Sequence, residues 1–295
     1  MKKLILSILF FAGLLYSFKL TASNNSILYV CHLDDRRDLF LEVDFSSHTR
    51  RNDSIEEAFS HSCIDHNISS LAAQPDSKVT KIFTLIYNAR FDEAEKLLEN
   101  SGFQAESVYF QVLKLDLFWW KYSIGKSETD EEKLNNTLKW FSEQNKNSAY
   151  SEINRLIWLA YKMRFEVKRK NYVKAFLLKI EVTDQLEMIQ KNPVTLPEGE
   201  QKLLEVFTLL LKYSNEASSV FGNNSKKQAC LNGLQELTAD NDWMVSSEAH
   251  YFLGRIYTKM EKEPQKGRIH FQTLSRRFPQ NTLFANLAAG KATDF

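Results

Sequence analysis

From about residue 78 onward, apolar residues recur every three or four positions, in runs interrupted by short polar or glycine-containing stretches. Breaks fall at Asn100-Ser101-Gly102, Gly125-Lys126-Ser127, Asn145-Lys146-Asn147, Pro193 to Pro197, Asn223-Asn224 and Asn241. A 3.6-residue period closed by such breaks reads as a series of helices. The spacing predicts helix pairs over 78–100, 104–144, 149–190, 198–238 and 245–278, with a terminal helix over 282–290. In the fourth pair the second helix could begin at Ala217 or at Ala229. Ala229 is preferred, which leaves 198–221 as one long first helix. The expected fold is all-α, a helical-hairpin solenoid over residues 78–290.

The helix over 104–124 is the most aromatic part of the chain. Val108, Val112, Leu115, Trp119 and Tyr122 form one apolar stripe, and Phe110, Leu113, Leu117 and Trp120 form another. A helix held between its hairpin partner and the next repeat is apolar on two sides, so both stripes are expected inside. Ser107, Gln111, Lys114 and Lys121 make the remaining polar stripe, and Phe118 falls in its middle. An exposed ring flanked by two lysines makes Phe118, Lys114 and Lys121 candidate partner-binding residues, the alternative being an ordinary exposed phenylalanine. In the helix over 149–168, Arg164 continues the stripe of Ile153, Ile157 and Ala160, where it must snorkel or pair with a carboxylate. Arg155, Lys162 and Glu166 are expected on a solvated face flanked by Trp158 and Phe165. Those two aromatics can line a groove wall or pack inside.

Residues 24–77 differ in kind. Ile27 to Leu33 and Leu39 to Phe45 are β-rich runs around the charged stretch Asp34 to Asp38, predicting a small β-hairpin. A short amphipathic helix over 55–64 and a linker over 67–77 follow. Ahead of them, Met1-Lys2-Lys3, an apolar stretch to Phe18 and Thr21-Ala22-Ser23 predict a secretory signal peptide over 1–23.

The segment Ser247-Glu248-Ala249-His250-Tyr251-Phe252-Leu253-Gly254-Arg255-Ile256-Tyr257, followed by Gly267, Phe271, Leu274 and Pro279, resembles one tetratricopeptide repeat. Gly254 would let a neighbouring helix approach, with Leu253 and Tyr257 on the same face, and Pro279 would stop the second helix. Phe91-Asp92-Glu93-Ala94 and the run Asn171 to Ala175 are similar to the opening of a tetratricopeptide second helix. Leu98 follows Ala94 by one turn. After Ala175 that position is Lys179, which leaves Ile180 to take the buried place. The spacing of these features is nearer 40 residues than the family's 34. The resemblance implies a right-handed solenoid of irregular repeats that works by binding, with first helices lining a concave groove. It covers roughly residues 78–285 and is similar to exported bacterial proteins of this superfamily.

Composition narrows the function further. Only nine glycines and five prolines occur among 295 residues, which disfavours sandwiches, barrels and glycine-loop nucleotide folds. Lysine and arginine number 38 against 37 acidic residues. Removal of Lys2, Lys3 and Lys19 with the signal peptide would leave a charge near minus two. The signs are interleaved, so the concentrated basic surface needed for nucleic acid is missing.

Candidate chemistry is sparse. The sequence has no GxSxG, HExxH, CxxC or glycine-rich phosphate loop. His61, Cys63, Asp65 and His66 cluster, without a recognised ligand spacing. Cys31 and Cys63 either pair, closing a loop worth about 3 to 4 kcal/mol, or remain separate thiols. Cys230 lies in the apolar pattern of a helix and is expected to be buried. Asn67-Ile68-Ser69 and Asn135-Asn136-Thr137 would be glycosylation acceptors in a eukaryotic secretory pathway. The expectation is an exported, non-enzymatic adaptor for a protein or peptide, without metal or cofactor, meeting a membrane only through that partner. A carbohydrate or small-ligand binding protein of the cell envelope is the alternative. An enzyme built on the His61–His66 cluster is a third.

Overall fold

The computed structural model describes residues 77–144, 150–218 and 222–291. The expected signal peptide, the β-hairpin, the Cys31–Cys63 pair and the His61–His66 cluster lie outside them. Eleven helices make up the described chain, with no strand among the described residues. They are α1 (Ser77–Tyr87), α2 (Phe91–Glu99), α3 (Val108–Gly125), α4 (Glu128–Gln144), α5 (Ser151–Lys168), α6 (Tyr172–Lys191), α7 (Glu198–Ala217), α8 (Asn224–Leu237), α9 (Trp243–Lys259), α10 (Pro264–Arg277) and α11 (Thr282–Ala288).

Consecutive helices pair as α1/α2, α3/α4, α5/α6, α7/α8 and α9/α10, and α11 packs on α10. The first helices also meet one another. α3 packs on α1, α5 and α7, while α9 packs on α7 and returns to α1. Local chemistry sets the ends. Asn223 accepts hydrogen bonds from the backbone N–H of Ser225 and Lys226, Asp242 from Met244 and Val245, and Asn281 from Leu283. Pro264 opens α10, where its missing N–H costs nothing. The Asn223 cap explains why α8 starts five residues before Ala229, earlier than the apolar pattern predicts, and α7 ends at Ala217, short of the expected 221.

Two hairpin turns share one geometry. Ala89 and Lys170 are both left-handed (φ 59° and 61°). Their N–H groups reach back to Ile86 and Val167, and those of Arg90 and Asn171 reach Leu85 and Glu166. These are Schellman turns built without the usual glycine. Gly290 (φ 67°) closes α11 in the same way, with bonds to Leu287 and from Lys291 to Asn286.

The resemblance to a tetratricopeptide repeat is densest in α9/α10, and there the helices touch at glycines. A Cβ on Gly267 would lie 2.8 Å from the Gly254 carbonyl oxygen and against Thr258, and a Cβ on Gly254 would lie 2.8 Å from the Phe271 ring. Phe271 is buried, as is Leu98 at the corresponding place of α2, and Ala94 and Ala175, at the place of Gly267, are buried as well. Tyr257 stacks on His270, with ring centroids 5.8 Å apart. α10 ends at Arg277, two residues before Pro279. Both apolar stripes of α3 are buried except for the partly exposed Phe110, and Cys230 is buried. Ile180 does not take the inward place. It is 46% exposed, and the buried positions of α6 are Ala175, Leu178, Val182, Gln185 and Leu186.

Candidate functional site

Where the first helices converge, the sequence places polar groups that the stripe pattern alone does not announce. Asp116 projects from α3, Tyr161 and Arg164 from α5, Glu248 and Tyr251 from α9, and Tyr87 from α1. The Tyr161 hydroxyl donates to Asp116 Oδ1 at 2.6 Å, and the Tyr87 hydroxyl donates to Glu248 Oε1 at 2.6 Å. Arg164 donates to the Tyr251 hydroxyl at 3.1 Å and lies 3.9 Å above the Trp119 ring. Trp120 seals the cluster, meeting Tyr87 and Tyr251 edge-on at 5.6 and 5.2 Å. Both carboxyls are buried. Burial, then the neighbouring Asp116 carboxylate, pushes Glu248 well above the usual carboxylate range. Burial also raises Asp116, against the lowering effect of the Tyr161 hydroxyl. Burial thus favours the protonated form of Glu248, while the Arg164 charge works against the rise at Asp116. Tyr87, Asp116, Tyr161, Glu248 and Tyr251 are all at most 3% exposed, so the cluster is shut off from bulk solvent.

Beside the cluster lies a cavity of about 50 Å³, lined by Tyr161 and Arg164 together with Met163, Val167, Phe207, Leu210 and Phe252. That space accommodates a few waters and falls well short of the ~300 Å³ of small-molecule sites. No group of three or more His, Cys, Asp or Glu side chains could hold a metal among the described residues. His250 and His270 approach Nδ1 to Nδ1 at 3.0 Å. Burial, with His270 and Arg277 as added repulsion on His250, brings both down to about 4.

The stripe expected to bind a partner turns inward, toward second helices. Lys121 pairs with Asp92 (2.9 Å) and Glu95 (3.3 Å) of α2. Burial works to lower it, and these two bonds overcome that and raise it. Lys114 sits 4.1 Å above the Trp140 ring of α4, and burial lowers its pKa. Gln111 is fully buried, and Phe118, expected to be exposed, is partly buried against the core. Nor does the α5 face behave as a solvated one. Glu166 has no exposed side-chain surface and is held by Lys174 (2.9 Å), Lys162 (3.2 Å) and Asn171 (3.1 Å). Those lysines offset its burial and keep it below the ordinary carboxylate range. Phe165 is buried, 5.8 Å from the Tyr122 ring, while Trp158 is partly buried. Sequence periodicity located the faces of these helices and could not say which neighbour each would meet.

The free apolar surface lies elsewhere. Val173, Phe176, Leu177 and Ile180 of α6 are 77%, 57%, 54% and 46% exposed, and Met188 lies exposed on the same helix. Residues 173, 176, 177 and 180 share one face, opposite the buried Leu178 and Val182. A signal was present in the sequence. α6 carries apolar residues on both sides, and in an outer helix only one side has a hairpin partner to cover it. No protein-family model matches the chain, and no curated protein or solved structure matches it.

Proposed function

We propose that the chain is an exported, non-enzymatic scaffold with a right-handed, tetratricopeptide-like solenoid architecture, acting by docking a protein or peptide partner at the cell envelope without a cofactor. The observation that carries this reading is the apolar face of α6. Four large apolar side chains within eight residues stand out of a helix whose other face is fully packed, and such a patch marks an interaction surface. Paired helices, interleaved charges and the burial of the Asp116–Glu248 carboxyl pair all favour recognition over catalysis. The docking face is thus assigned to α6 instead of to Phe118, Lys114 and Lys121 of α3, which are engaged within the fold. The test places a photo-crosslinking amino acid at Leu177 of the full chain in its native host. Crosslinks to a polypeptide, lost when Ile180→Glu is added and the thermal midpoint is unchanged, support a docking scaffold. Absence of any crosslinked polypeptide overturns it.

A further inference from the structure

We propose that the occupant of the α6 face is a second copy of this chain, packed antiparallel on a twofold axis that passes between Phe176 and Leu177. The inference rests on reading α6 as the docking face and names its partner. Three features of α6 select a copy of itself.

The apolar patch is symmetric about its middle. With Phe176 of one chain opposite Leu177 of the other, antiparallel helices place Val173 opposite Ile180, so each apolar side chain faces another. The flanks are polarised in opposite senses. Lys168, Arg169 and Lys170 crowd the end of α5 and the turn before α6, whose first turn has no acidic residue, so this flank of the patch is basic. One and two turns past Ile180, Asp184 and Glu187 continue the same outward line, both exposed. The antiparallel copy lays its Asp184 and Glu187 toward the basic turn, and the twofold repeats the match at the other end. Such self-complementarity is what an isologous interface requires.

Several of the charges nearby already have partners, most of them in exposed pairs. Arg169 meets Glu131 at 2.9 Å, Lys191 meets Glu187 at 3.5 Å, Arg155 meets Glu181 at 3.6 Å, and Lys174 reaches inward to Glu166. Exposed pairs are worth little and exchange readily. The acidic pair on the stripe also argues against an anionic membrane as occupant, because Asp184 and Glu187 would be pressed onto the lipid charge. One helix crossing from each chain buries an area at the low end of protein interfaces, so the dimer should be weak, dissociating at concentrations on the order of micromolar.

Sedimentation of the full chain from about 1 to 300 µM is the direct test. A reversible dimer is expected for the wild type, together with crosslinks from Leu177 to a second copy. Ile180→Glu should raise the dissociation constant more than ~30-fold by burying a charge. Lys170→Glu and Asp184→Lys should each weaken the dimer by about 3- to 10-fold, and the double exchange should return it to near the wild-type value. Equal thermal midpoints for all variants under dilute conditions keep the readout separate from folding. A wild type that stays monomeric throughout, or a double exchange no tighter than its single parents, overturns the proposal. Should the monomer instead crosslink from Leu177 to a different polypeptide, self-pairing falls and the docking reading stands. Vesicle binding by the monomer through α6, or no crosslink and no dimer at all, removes both.

Discussion

Residue by residue, the least ordinary group in this fold is Glu248. Its carboxyl is buried between Tyr87 and Asp116 and holds its proton above the usual range. Below about pH 4.5 both the folded and the unfolded chain carry this proton, so its contribution to stability is complete there. As pH rises, the unfolded chain releases it and the folded one does not, and stability declines by up to ~1.4 kcal/mol per pH unit until the folded group ionises. The His250–His270 pair runs the other way. With folded values of about 4 against an ordinary 6.5, its contribution is complete above pH 6.5 and is lost as pH falls toward 4. Glu248→Gln isolates the first effect, because the amide keeps an acceptor for Tyr87 and leaves the histidines alone. Urea unfolding of the variant and the wild type at pH 5, 6, 7 and 8 should show the variant gaining on the wild type with each step. A constant difference across that range would mean that Glu248 is already ionised in the folded chain.

At the level of elements, the α9/α10 contact shows how much a hairpin depends on single atoms. Gly267→Ala would drive a methyl against the backbone oxygen of Gly254, which cannot move without bending α9. A loss of about 1 to 3 kcal/mol is expected for such overpacking. Gly233→Ala, in α8, would meet the end of the Leu209 side chain at 2.9 Å, which can rotate away. Alanine's advantage over glycine in a helix, about 1 kcal/mol, then offsets the crowding, and stability should stay within about 1 kcal/mol of the wild type. Chemical denaturation of both variants checks the contrast, and equal effects would remove the distinction between backbone and side-chain obstacles. The same pair of elements shows what a sequence can convey. Gly254, Gly267 and Phe271 announce a close helix contact because glycine at helical spacing has few other uses. The polar breaks place nearly every hairpin because a buried helix must end where its apolar face ends. Ile180 and Phe118 defeated the pattern for one shared reason. Periodicity assigns residues to faces, whereas burial depends on which faces find neighbours. In α6 the second apolar face has none among the described helices, and in α3 the polar face meets α2 and α4.

Over the whole described chain, the decisive contacts join its two ends. Asn281 caps α11 with its side-chain oxygen and donates through Nδ2 to the Tyr87 carbonyl at 2.8 Å. The Gln280 N–H reaches Asn88 Oδ1 at 3.2 Å, and Tyr87 reaches Glu248 in α9. Phe278 and Phe284 pack against the Tyr87 ring at 5.1 and 5.7 Å. Contacts spanning 161 to 194 residues leave no periodic trace, so the hydrophobic pattern does not announce this meeting. Their consequence is thermodynamic. In an open repeat array each unit leans only on its neighbours, and the ends fray first. Here α1 is tied to α9 and to the residues that open α11, so the terminal helices should exchange their amide protons at nearly the free energy of the central ones. Asn281→Ala removes the carbonyl contact and the α11 cap together, leaving the buried Tyr87 oxygen without this donor, at a cost of about 2 to 3 kcal/mol. Hydrogen exchange read by mass spectrometry should then show α1, α2 and α11 opening before α3 to α9, while the wild type opens as one unit. If the wild type already frays at α1 and α11, or if the variant still opens all at once, the two ends do not hold each other.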